Sequence, residues 1–102
     1  MAGYVGRLEP GQTLQAGDHF KGPWRSFSRT TIEAGQEQTF NASDAEFSIF
    51  VMSGHGQSVI GSQAQPVSPG SALTVGYRAQ LTLRADDSPV EVFVTIVDIP
   101  QT

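Results

Sequence analysis

Few side chains of this 102-residue chain can do acid–base or ion-pairing chemistry: two histidines, two tyrosines, five arginines, one lysine and ten carboxylates, with no cysteine. His19 sits in Gly17-Asp18-His19-Phe20-Lys21-Gly22-Pro23-Trp24. An Asp beside a His, followed by the aromatics Phe20 and Trp24, suits a loop acting as a lid with a proton-transferring imidazole. The same residues equally describe a solvated loop. Tyr77 offers a phenolic hydroxyl as a general acid or hydrogen-bond donor, or a ring that packs at a rim. His19 and Tyr77 are therefore the candidate catalytic residues. His55 lies in Gly54-His55-Gly56 and reads as a solvated turn residue. Arg25 and Arg29 are four residues apart, so on a strand they share a face with Phe27 and Thr31. Facing inward they would clamp a carboxylate in a bidentate fork; facing outward they would make surface or partner contacts. Outward is the expectation, because an unpaired buried charge is costly. Asp44 and Glu46 follow a turn and read as solvated.

These residues must be positioned by strands. Eleven glycines and six prolines punctuate the chain at short intervals, and no window has a convincing helical period. The pattern predicts about eight short strands joined by turns. An edge strand covers 11–16 and a loop 18–23. Strands follow at 24–33, 36–41, 47–52, 57–60, 64–67, 72–75, 80–84 and 90–99. Phe47-Ser-Ile-Phe-Val-Met52 is apolar on both faces, which calls for a core on one side and a covered surface on the other. Many short antiparallel strands with Gly/Pro turns point to an all-β sandwich or barrel.

The glycine spacing resembles the two motifs of the cupin superfamily. The first is Gly, five residues, His, one residue, His, three or four residues, Glu, six residues, Gly. Counted from Gly35, these positions are Asn41, Ser43, Phe47 and Gly54. The second is Gly, five residues, Pro, one residue, Gly, two residues, His, three residues, Asn. Counted from Gly70, it meets Gly76, Arg78, Leu81 and Ala85, and Pro69-Gly70 resembles the turn before it. The resemblance spans about 24–99. It implies a cupin-type double-stranded β-helix, a jelly-roll barrel, formed by one domain over 1–102 with 1–23 as edge strand and loop. It also implies that Asn41, Ser43, Phe47 and Leu81 stand where a metal would be held by three imidazoles and a carboxylate. An amide and a hydroxyl are weak neutral ligands, and Phe47 and Leu81 have no donor atom, so no metal or other cofactor is expected. Glu46 is one residue from the acidic position, but on a strand one residue turns the side chain to the other face. The resemblance points Asn41 and Ser43 into the barrel and makes Phe47 and Leu81 an apolar wall. It places Tyr77 and Arg78 at the mouth. These six residues are the expected ligand-binding set.

Charge limits the partners. The net charge is −4 and the basic residues are scattered, which disfavours nucleic acid. No apolar run approaches the ~20 residues of a membrane helix, and the N-terminus has no basic-then-apolar leader pattern. A cytoplasmic location is expected, with no membrane partner. Strands apolar on both faces suggest a homodimer. Three functional readings stand open. One is a metal-independent module binding a small molecule in the barrel cavity. Another is a metal-independent isomerase, epimerase or cyclase working by acid–base chemistry at the barrel mouth. The third is a scaffold or interaction protein with a filled barrel.

Overall fold

The structure, a computed structural model, describes residues 6–99. Nine strands follow one another: β1 (Thr13–Gln15), β2 (Trp24–Ile32), β3 (Glu37–Asn41), β4 (Ala45–Ser53), β5 (Gly56–Ile60), β6 (Gln63–Val67), β7 (Ala72–Val75), β8 (Gln80–Ala85) and β9 (Val90–Asp98). The expected strands are all present. The predicted edge strand 11–16 shrinks to three residues, because Ala16–Asp18 turns into one 3-10 turn that buries Ala16. The strand predicted at 47–52 extends in both directions to Ala45–Ser53. No helix of the described residues is long and apolar enough to cross a membrane.

The strands form two antiparallel sheets, one of five strands in the order β1-β2-β9-β4-β7 and one of four in the order β3-β8-β5-β6. Consecutive strands change sheet from β2 to β3, β3 to β4, β4 to β5, β6 to β7, β7 to β8 and β8 to β9, the jelly-roll path of a double-stranded β-helix. Between the sheets lies one apolar core. From the five-stranded sheet come Ile32, Ile49, Val51, Val75, Val90, Val92 and Val94; from the other come Phe40, Val67, Leu81, Leu83 and Ala85.

Two glycines let the turn after β4 pass close to neighbouring backbone. Gly54 has φ +89°, and a Cβ there would lie 2.2 Å from the Pro89 carbonyl oxygen. A Cβ on Gly56 would lie 2.0 Å from the Arg84 carbonyl oxygen. The turn holding His55 is thereby pressed onto β8 and the loop before β9, with the Asp86 N–H donating to the His55 carbonyl at 3.0 Å. His55 itself is exposed.

Candidate functional site

Strand register shows which residues look into the barrel. Across the five-stranded sheet, one inward row reads Gln15, Ser26, Ile96, Phe47, Val75. The next reads Thr13, Ser28, Val94, Ile49, Leu73. A third runs Thr30, Val92, Val51. Each row is polar and uncharged on β1 and β2, then aliphatic or aromatic from β9 onward. On the four-stranded sheet an inward row reads Gln38, Leu83, Ser58, Gln65, amides at both edges.

The end of the barrel where the metal motifs converge is filled. Phe40 is buried and meets the half-buried Phe47 edge to face, ring centroids 5.6 Å apart. Leu81, paired with Phe40, is buried beside them. Asn41 and Ser43 do not enter the barrel as the motif spacing led one to expect; both are exposed. The strand register is the reason. Phe40 must face the core with Leu81, so the next residue, Asn41, turns outward beside Gln80, and Ala42 turns in again. Hydrogen bonds from Ala42 N–H to the Ala79 carbonyl (3.0 Å) and from Arg78 N–H to the Ala42 carbonyl (2.7 Å) fix that order. The donor set at these positions does not fit a transition metal: two neutral side chains point away and two apolar ones fill the space. Among the described residues no three His, Cys, Asp or Glu come together.

Tyr77 and Arg78 lie in the turn between β7 and β8, closed by a bond from Ala79 N–H to the Gly76 carbonyl (2.9 Å). Arg78 takes φ +73°, left-handed backbone that disfavours a side chain. Its guanidinium lies 5.1 Å from the centre of the exposed Tyr77 ring, a cation–π contact. Glu46 faces outward and accepts the Tyr77 N–H at 2.9 Å. With Phe47, Ser48, Thr74, Val75, Gly76 and Val97 it lines a shallow cleft of about 280 Å³. His19 is half-buried in the loop leading to β2, whereas Tyr77 is in the β7–β8 turn. The two candidate catalytic residues thus sit on separate loops.

The two arginines of β2 part company. A bulge between Trp24 and Ser26 leaves Arg25 as the extra residue, and it pairs with Asp98 and, at 3.6 Å, with Asp44. The face expected to hold both arginines with Phe27 and Thr31 therefore keeps Arg29 and takes in Trp24 instead, stacked on Phe27. Arg29 points outward and is half-buried. It donates to Glu91 (2.8 Å) and to the Leu8 carbonyl (3.0 Å), while its buried Nε has no hydrogen-bond partner among the described residues. The hydrogen bond to Glu91 raises its pKa further above the ordinary arginine value. A cleft of about 330 Å³ lies beside it, walled by Leu8, Leu14, Phe27, Met52 and Phe93.

The hydroxyl and amide strip on the inner side of β1 and β2 was not among the expected site residues. Its sequence signal is the alternation of small polar with larger residues in Ser26-Phe27-Ser28-Arg29-Thr30. That alternation marks a strand without saying which face is which.

The sequence matches no family model and no curated protein. The structure is similar to a cupin protein from Bacteroides fragilis, with a TM-score of 0.70, 17% identity and 100% of this chain against 86% of that one. It is similar to a Cupin 2 conserved barrel domain protein from Salinispora arenicola, with a TM-score of 0.70, 15% identity and 85% against 73% covered. It is also similar to ectoine synthase from P. lautus, with a TM-score of 0.71, 21% identity and 83% of this chain covered, spanning 59% of that enzyme. At such identities the likeness concerns the fold. The chain has the cupin fold, an all-β double-stranded β-helix.

Proposed function

We propose that this chain is a metal-independent binding module that takes a neutral, hydroxyl-bearing small molecule along the inner edge of its barrel. The observation that carries the reading is the uncharged polar strip of Thr13, Gln15, Ser26, Ser28 and Thr30 on the inner faces of β1 and β2, next to the half-buried Ile96 and the buried core valines Val92 and Val94. Apolar surface with a few placed hydrogen-bonding groups is the usual make-up of a small-molecule site. Hydroxyls and amides both donate and accept, so they satisfy a neutral polar ligand without stranding a charge. Acid–base catalysis has less support. The inward strand positions among the described residues carry no ionisable group except Asp98 at the rim, which Arg25 holds. The ligand set drawn from the cupin motifs shifts accordingly: Phe47 and Leu81 form packed wall, Asn41 and Ser43 lie outside, and Tyr77 and Arg78 stand apart from the strip. Ectoine synthase is an enzyme on the same fold, but the enzymatic reading here lacks an acid–base pair inside the barrel.

The test is a thermal-shift screen of neutral polyols and sugars against carboxylates of similar size, on the wild type and on Ser28→Val. The reading expects stabilisation by a neutral class that Ser28→Val abolishes. Stabilisation by carboxylates alone, or by neutral ligands equally in both proteins, would sink it. Stoichiometric zinc, iron or manganese in the purified protein would overturn its metal-independent part.

A further inference from the structure

Each sheet ends in two edge strands, and natural sheets commonly blunt such edges against stray pairing. β1 is three residues long and runs into the 3-10 turn. β6 carries Pro66, which has no N–H to offer. β3 has its outward Glu37 and Thr39 tied to Arg84 and Thr82. β7, Ala72-Leu73-Thr74-Val75, carries neither proline nor charge. Its bonding phase follows from the bulge at its start. Val51 N–H donates to the Ser71 carbonyl and Gly70 N–H to the Val51 carbonyl, both at 2.9 Å. Antiparallel bonding alternates, so Leu73 and Val75 bond β4 opposite Ile49 and Phe47. The N–H and C=O groups of Ala72 and Thr74 therefore point to the free edge.

We infer that this edge takes an extended peptide segment as an added strand, with a Lys or Arg of that segment reaching Glu46. Main-chain bonds to an open edge supply affinity in this mode, and a side-chain pocket beside it supplies specificity. The pocket is the 280 Å³ cleft alongside β7. Charge selects its occupant. Glu46 accepts the Tyr77 N–H and has no ion pair among the described residues, while Arg78 is held over the Tyr77 ring. The chain's net charge is −4, so a basic segment is favoured over a second copy. Geometry selects a long side chain. Strands lie about 4.8 Å apart, so an added strand stands about 9.6 Å from β4. Gly76, following β7, leaves the space between open, and the Glu46 carboxylate leans into it: a Cβ on Gly76 would lie 3.5 Å from Glu46 Oε2. The flexible stem of a Lys, or the longer Arg, spans that gap. The Ser48 and Thr74 hydroxyls, level with each other on the same face, can accept the cation's remaining N–H groups.

The experiment is fluorescence anisotropy with a labelled Thr-Val-Lys-Val-Thr amide, its Glu-for-Lys counterpart, and two analogues N-methylated on alternate residues in opposite phase. The proteins are the wild type, Glu46→Gln and Gly76→Leu. Gln can still accept the Tyr77 N–H, and Gly76 lies outside the left-handed region with only an ordinary contact awaiting a Cβ, so both variants should fold, which circular dichroism checks. Wild type is expected to bind the Lys peptide saturably, with Kd below about 1 mM. Glu46→Gln is expected to weaken it at least about fivefold, and Gly76→Leu at least as much, by filling the gap with the charge left in place. One N-methylated analogue should lose binding and the other keep it, since only alternate N–H groups of an added strand face β7. No saturable binding by wild type overturns the inference. So do equal affinities for the Lys and Glu peptides, binding indifferent to either substitution, or two N-methylated analogues that behave alike. Self-association of the wild type that Gly76→Leu abolishes would put a second copy on the edge and overturn it as well.

Discussion

The two sheets share one core yet meet the surroundings with opposite chemistry. Outward on the four-stranded sheet, the rows read Glu37, Arg84, Gln57, Pro66 and Thr39, Thr82, Val59, Ala64. That face is held by a 3.2 Å Arg84–Glu37 pair and a 2.9 Å hydroxyl contact between Thr39 and Thr82, both exposed. Outward on the five-stranded sheet, the rows read Leu14, Phe27, Thr95, Ser48, Thr74 and Arg29, Phe93, Phe50, Ala72. Its Arg29–Glu91 pair is more enclosed, with side chains 23% and 17% exposed. The core makes the same demand of every strand and so cannot tell the two sheets apart. The outward rows can: one is polar and solvated, the other aromatic and only partly covered.

That contrast yields graded expectations for stability, each read from urea midpoints at one protein concentration. The largest effect belongs to the shared inner face. Leu83→Ala on the solvated sheet is expected to cost about 3 kcal/mol, since it opens a cavity under a fully buried leucine. A small loss there would mean that the core is not common to both sheets. Next, Arg29→Ala is expected to lower the midpoint clearly more than Arg84→Ala, because it strips Glu91 and the Leu8 carbonyl of their partner in a half-buried setting. The reverse order would break the comparison. In the turn linking the sheets, Arg78→Gly is expected to raise stability by about 0.5–1 kcal/mol. Relief of the left-handed backbone outweighs the lost cation–π contact with Tyr77. A lower midpoint would show that the contact outweighs the strain. The smallest effect is expected from Arg84→Ala, within about 0.5 kcal/mol, as for exposed ion pairs generally.

Much of the fold was legible because its signals are local. Gly54, Gly70 and the long β-prone run at Val90–Asp98 mark turns and strands whatever the rest of the chain does. The site was less legible. Counting from Gly35 reached Asn41 correctly, but a count along the chain does not say which face a strand buries. Phe40 and Ala42 settled that by entering the core. The bulge at Arg25 had the same effect on β2, moving Trp24 onto the face of Phe27 and Arg29. In both places one residue of register decides between a ligand and a surface.

The sequence by itself determined the all-β jelly-roll architecture, since residue type and turn spacing are enough for it. Only the tertiary structure decided where the polar groups of the barrel and the aromatic groups of its surface come together. Ser26 and Ser28 line one side with Gln15 and Thr13, and Phe27 joins Phe93 and Phe50 on the other, through pairings between strands far apart in the chain. Alternation along a strand separates two faces; the partners across the sheet determine which of them is inside.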